Sequence, residues 1–242
     1  MITKRGKSSF YFWLILNFVV FQSVSFAQQD RFESGLASKD RGHYATALRA
    51  WIPMAESGNA EAQNNVGYMY EEGLGVPQNY LLAMNWYRQA ADNELAQAQH
   101  NMGMLYHHGY GVAQNLGEAF RWFKMAAEQE LAESEYMLGL AYEKGEGTTL
   151  NYAEARRLFL SSARKNYTPA QMMYAFMLQA GEGGDSQPFS AYVWGKIAES
   201  NGSESAIDIT TISGIQLEDS DIVEAEEIIA QCLNASLSLC PE

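Results

Sequence analysis

The stretch AEAQNNVGYMYEEGLGVPQNYLLAMNWYRQAA, residues 60–91, returns in altered form as AQAQHNMGMLYHHGYGVAQNLGEAFRWFKMAA at residues 96–127, and twice more at the same interval of 36. Self-similarity at one fixed interval is the signature of a repeat architecture. The columns align without a gap. Gly67, Gly103 and Gly139 are followed by Ala175, and Tyr70, Tyr106 and Tyr142 by Leu178. The pairs Gly73/Gly75, Gly109/Gly111, Gly145/Gly147 and Gly181/Gly183 recur in all four units. In the second half of each unit come Ala83, Ala119, Ala155 and Ala191, then Trp86, Trp122, Leu158 and Trp194, then Ala90, Ala126, Ser162 and Ala198.

Small and apolar residues recur three and four apart within each half unit, as in Ala62, Val66, Tyr70 and in Ala83, Trp86, Tyr87, Ala90. That spacing predicts two amphipathic helices per unit. Neither can bury its face alone, so the hairpins must stack. The Gly-x-Gly between them predicts a turn with positive φ, which glycine reaches without steric cost. Asn79, Asn115 and Asn151 stand where the second helices begin and are predicted to cap them. The tryptophan column is predicted to fill the space between neighbouring hairpins.

Outside the four repeats, placed at 58–201, residues 28–57 read as a shorter capping hairpin. Tyr44 and Ala47 precede Tyr80 and Ala83 by 36, but no Gly-x-Gly separates the helices. Residues 202–242 read as carboxy-terminal capping helices and an acidic tail, the last helix running from about Leu217 to Asn234.

Residues 1–27 have the pattern of a secretory signal peptide: basic Lys4, Arg5 and Lys7, an apolar run from Phe10 to Phe21, and Ser25-Phe26-Ala27 as a small-residue cleavage site. The run is too short to span a bilayer. The expectation is a protein without stable membrane insertion after cleavage, located in the periplasm or outside the cell. The formal charge of the whole chain is −13; cleavage would leave 13 Lys+Arg against 29 Asp+Glu, a net −16. Nucleic acid and anionic lipid are poor partners for such a surface. Cys232 and Cys240 are the only cysteines. In an oxidising compartment they are expected to pair and tie the tail to the last helix.

These columns resemble the Sel-one-like (Sel1) repeat family, related to the tetratricopeptide fold. Its unit runs Ala-x-Ala-Gln, Leu-Gly-x-x-Tyr, Gly-x-Gly-Val, Ala-x-x-Trp-Tyr and a terminal Ala-Ala. Here these are Ala60–Gln63, Val66-Gly67 with Tyr70, Gly73–Val76, Ala83 with Trp86-Tyr87, and Ala90-Ala91. The resemblance spans about 31–235 and implies an all-α fold, a right-handed α/α solenoid of stacked helical hairpins. It also implies a scaffold or adaptor that binds another protein or peptide, of the exported bacterial type that acts on envelope processes or host contact. It implies no enzyme activity and no cofactor. The fourth unit departs most, at Ala175, Leu178 and Gly184.

By analogy with tetratricopeptide proteins, the first helix of each unit lines a concave groove. Its variable positions are Asn64, Asn65 and Tyr68, then His100, Asn101 and Met104, then Tyr136, Met137 and Leu140, then Met172, Met173 and Phe176. Methionine and tyrosine suit an extended peptide or a helix, because they adapt while burying much area. Packing against the carboxy-terminal helices is the competing reading for the last three.

Catalytic and metal readings are weak. His100, His107 and His108 share a helix, but the columns of His107 and His108 hold Glu71, Glu72, Glu143 and Lys144 elsewhere, so no metal is predicted. Ser162-Ala163-Arg164-Lys165 matches Ser-x-x-Lys, yet Ser162 occupies a small-residue column and the companion motifs of β-lactam-recognising enzymes are missing. No catalytic residue is assigned. A cell-wall glycan-binding module and, behind it, a β-lactam-interacting hydrolase are the alternatives to the adaptor. Oligomeric state is not legible.

Overall fold

A computed structural model describes residues 28–234 and 237–242; the leader assigned to 1–27 lies outside the described residues. Among the latter, the chain is twelve α-helices and a 3-10 turn at Leu237–Leu239, with no strand. Consecutive helices pair as hairpins, the arrangement of an α/α solenoid. It forms two compact units, divided after Asn93.

The first unit contains α1 (28–40), α2 (Tyr44–Glu56), α3 (Ala60–Glu72) and α4 (Tyr80–Asp92). Its core gathers Ala47, Leu48, Trp51, Met54, Val66 and Met69. A Cβ on Gly67 would lie 2.8 Å from the Tyr87 ring, and one on Gly35 would collide with Trp51 in the same way. Trp51 stands 36 residues before Tyr87, whereas Gly35 stands 32 before Gly67. The opening hairpin is therefore built on the repeat plan with a connection four residues shorter.

The second unit contains α5 (Ala96–His108), α6 (Leu116–Ala127), α7 (Ala132–Lys144), α8 (Tyr152–Arg164), α9 (Thr168–Ala180), α10 (Pro188–Ser200), α11 (Ala206–Gly214) and α12 (Asp219–Asn234). Hairpins α5/α6, α7/α8 and α9/α10 stack through α6 on α7 and α8 on α9; α11 and α12 cover α10. Gly145 ends α7 at φ 70° and returns its N–H to the Ala141 carbonyl. Two residues on, Gly147 sits so close to the Leu116 carbonyl that no side chain fits. The Asn115 and Asn151 side chains each accept an N–H bond at 3.1 Å from Glu118 and Glu154, satisfying free amides of α6 and α8.

Trp86 and Trp122 are only half-buried; the ring one residue later, Tyr87, Phe123 or Phe159, is the buried one in its repeat, and it packs on the glycine column. The fourth repeat breaks both members of that pair together, with Ala175 for the glycine and Gly195 for the ring. The cause is α11: a Cβ on Gly195 would meet Thr210 Cγ2 at 2.5 Å. With the ring gone, Ala175 and Trp194 fill the interior.

Between repeats the chain turns through a left-handed residue that recurs at the same interval: Gly58, Glu94, Glu130, Asn166 and Gly202 all have positive φ. Three of the five are not glycine, so the turn stores local strain. Polar ties reinforce the stack. Ser162 Oγ donates to the Ala132 carbonyl at 2.7 Å, and Gln129 Nε2 to Gln99 Oε1 at 2.8 Å. Cys232 and Cys240 lie at disulfide distance, with Cα atoms 5.6 Å apart.

Candidate protein-interaction site

The first-helix positions fall in both units. In the first, Asn64 and Asn65 are half-buried on α3, while Tyr68 is 40 % exposed with Lys39 Nζ 6.0 Å from its ring centroid. Burial, then the Glu72 and Glu71 carboxylates, push the Tyr68 phenol above its ordinary pKa. Behind it, Tyr87 donates its hydroxyl to Glu71 Oε2 at 2.6 Å.

In the second unit, α5 carries His100, Asn101 and Met104, and α7 carries Tyr136, Met137 and Leu140, all half-buried. Half of this set belongs as much to the framework as to a surface. His100 Nδ1 lies 2.8 Å from Ser134 Oγ, tying α5 to α7, and its ring is 5.5 Å from Phe123. Burial lowers the His100 pKa, so the imidazole is neutral at neutral pH. Tyr136 packs 5.7 Å from Phe159 and 5.4 Å from Tyr167, and burial raises its phenol. Asn101 Oδ1 accepts a long bond from Gln97 Nε2 at 3.5 Å. Met104 lies on the core of Ala119, Phe123, Leu138 and Leu158.

Met137 and Leu140 are different. They meet Leu116, Phe120 and Phe123 around a small opening of about 80 Å³ between α5, α6 and α7. His107, Lys144 and Glu146 complete its wall, with His107 Nε2 3.7 Å from Glu146 Oε2. In the first repeat the equivalent of His107 is Glu71, matched by the Tyr87 hydroxyl. Phe123 carries no such hydroxyl, and His107 Nδ1 is buried with no hydrogen-bond partner. The opening is therefore a small, mostly apolar socket with polar groups at its margin.

On α9, Met172 and Met173 pack on the core built with α10 and α12, while Phe176 is 41 % exposed. Leu116, Phe120, Phe123 and His107 were not predicted to line a site. A signal for two of them exists: the Phe120 column reads Met84, Phe120, Arg156, Tyr192, and the His107 column reads Glu71, His107, Glu143, Gln179. Such variation is not what a framework position needs.

The Ser-x-x-Lys residues are used structurally. Ser162 is fully buried on its bond to Ala132, and Lys165 Nζ reaches Glu135 Oε1 at 2.7 Å and the Glu130 carbonyl at 2.9 Å. His107 stacks edge-on against His108, apart from the His100–Ser134 pair. Among the described residues no group of three or more His, Cys, Asp or Glu side chains is placed to hold a metal ion.

The family model of the Sel1 repeat matches four times, at residues 60–95, 96–131, 132–167 and 168–203. A solved Sel1 repeat protein from Oxalobacter formigenes is similar at 28% identity and a TM-score of 0.70, over 83% of this chain and 84% of that one. A protective antigen of uropathogenic Escherichia coli with an SLR fold is similar at 25% identity and a TM-score of 0.70, over 90% of this chain and 52% of that one. This chain thus spans about half the length of that antigen. No curated protein matches the chain by sequence.

Proposed function

The chain belongs to the Sel1 repeat family, and on that premise we propose that it is an exported adaptor which holds an apolar side chain of a partner protein or peptide in the α5–α7 socket. Sel1 repeats generally serve protein–protein interaction. The finer reading rests on one observation: Met137 and Leu140, variable first-helix positions, open onto a socket floored by Phe120 and Phe123. A buried apolar anchor is what concentrates binding energy in a peptide interface. Export is supported by the basic-apolar-small pattern of 1–27 and by the cysteine pair at disulfide distance, which suits an oxidising compartment. No described helix is long and apolar enough to cross a membrane. In this reading residues 28–57 cap one end, 58–201 carry the repeats and 202–242 close the other. The partner is a protein rather than nucleic acid, in keeping with the net charge of −13.

Selection of displayed peptides on the purified protein tests this. Peptides sharing an apolar anchor should emerge, and Met137→Lys or Leu140→Lys should cost at least tenfold in affinity while helical circular dichroism is unchanged. Peptides that bind the parent and both variants equally would remove the socket from the account.

A further inference from the structure

Far from the socket, residues 237–242 fold back onto α8 and α10. Trp194, fully buried on α10, donates its indole N–H to the Pro241 carbonyl at 2.7 Å. Arg164 Nη2, at the end of α8, donates to Glu242 Oε1 at 2.9 Å. Gln187, with its amide turned to satisfy both neighbours, donates to the Glu242 backbone oxygen at 2.7 Å and accepts from Arg156 Nη2 at 3.0 Å. Three donors, one at the end of α8 and two on α10 and its N-cap, thus converge on three oxygens of two adjacent residues. Within the tail, the Cys240 N–H donates to the Leu237 carbonyl at 3.3 Å. What holds it from behind is Cys240, buried beside Cys232 of α12 at disulfide distance.

We infer that Arg156, Arg164, Gln187 and Trp194 form a peptide-recognition site occupied in cis by Pro241–Glu242, and that opening the Cys232–Cys240 bridge vacates it for a second peptide carrying proline followed by an acidic residue. The donor set defines the ligand. The indole takes a backbone carbonyl, the amide takes a second backbone oxygen, and the guanidinium takes a carboxylate. Charge supports the assignment. Beyond Lys196 the sequence has no basic residue, and this chain of net charge −13 places two arginines at one seat. While the bridge is closed, the tail is pinned beside its site at Cys240 as well as by the chain after α12, which raises its effective concentration over that of a free peptide. Reduction transfers two electrons and two protons from a dithiol to the sulfur–sulfur bond, giving two thiols while the dithiol closes to its own disulfide. Held then only through the chain after α12, the tail can be displaced by a second peptide whose carbonyl replaces that of Pro241 at the buried Trp194 N–H.

The site is independent of the α5–α7 socket, and so is its test. Binding of a fluorescein-labelled Leu-Ser-Leu-Ser-Pro-Glu peptide, the tail with serine for Cys240, is followed by polarisation on the full chain. It should be at least tenfold tighter to dithiothreitol-treated protein and to Cys232→Ser than to the oxidised protein. In the Cys232→Ser background, Arg164→Ala and Trp194→Phe should abolish it, and a peptide ending Pro-Lys should not bind. Glu242→Lys, an exposed change with the bridge intact, should raise peptide binding by removing the cis ion pair, which keeps the test valid if the cysteine variant folds poorly. Equal binding to closed and opened forms, no binding to folded opened protein, or no effect of Glu242→Lys would overturn the inference.

Discussion

Gly139 lies in the middle of α7, where alanine should stabilise a helix by about 1 kcal/mol. Its substitution by alanine is instead predicted to destabilise. A Cβ there would stand 2.7 Å from Phe159 Cε1, 2.9 Å from Cδ1 and 3.1 Å from Cζ, where carbon atoms in contact keep about 3.5–4.0 Å. The ring must retreat by roughly 1 Å to restore that spacing. Phe159 is fully buried in a core it shares with Tyr174, Met177 and Leu178. Overpacking of such a core costs about 1–3 kcal/mol, so the net loss after the helix gain is up to about 2 kcal/mol. The decisive form is a double-mutant cycle with Phe159→Leu, measured by urea denaturation. Removing the ring removes the collision, and Gly139→Ala should then become neutral or stabilising, with a coupling of about 0.5–3 kcal/mol. The fourth repeat already contains both changes, as Ala175 facing Gly195. A Gly139→Ala that stabilises equally in both backgrounds would refute the close-approach explanation of the glycine column.

Three further outcomes follow from the same geometry. In the fold, burial raises the Glu71 carboxyl pKa, with the Tyr87 hydroxyl opposing and Glu72 reinforcing, so the folded chain holds this proton more tightly than the unfolded one. Ionisation of Glu71 therefore costs stability at neutral pH, and the cost vanishes as pH falls below the unfolded value; Glu71→Gln, which still accepts from Tyr87, should be more stable than the parent at neutral pH, a gap that closes on acidification in urea titrations at the two pH values. Asn115→Ala removes the cap on Glu118 N–H and should cost about 0.5–2 kcal/mol by thermal or chemical denaturation. Glu130, at φ 63°, pays for a left-handed conformation; Glu130→Gly should be neutral to stabilising by about 1 kcal/mol, whereas Gly202→Ala, at φ 91°, should be destabilising by a similar amount in the same assay.

Much of the fold is written locally. The 36-residue period, the left-handed glycines after the first helices and the asparagine caps each depend on a few neighbouring residues, so they are legible in the order of the amino acids alone. What stays hidden depends on pairs distant in sequence. That Ala175 and Gly195 change together becomes intelligible only once Thr210 of α11 is seen in the vacated space. The left-handed turns at Glu94 and Glu130 carry no signal, because glutamate does not announce that conformation. Trp194 reads as one more tryptophan of its column, yet its partner is Pro241.

The candidate site divides in the same way. Met137 and Leu140 are legible as variable positions on a first helix, and both open on the socket. His100 and Tyr136 are equally variable in type, but each is spent largely on contacts with Ser134, Phe159 and Tyr167 that no periodicity reveals. Phe120 and His107 enter the site because α5, α6 and α7 converge there, a geometry that single-helix patterns do not contain.

The adaptor reading is tested most directly by a photo-crosslinking residue at Met137, compared with one at the exposed Arg121 of α6, in living cells of the source organism. The account predicts one recurring protein adduct at Met137 that is absent at Arg121 and lost when Leu140→Lys is added. The same adducts at both positions, or none at Met137 from folded protein, would contradict it.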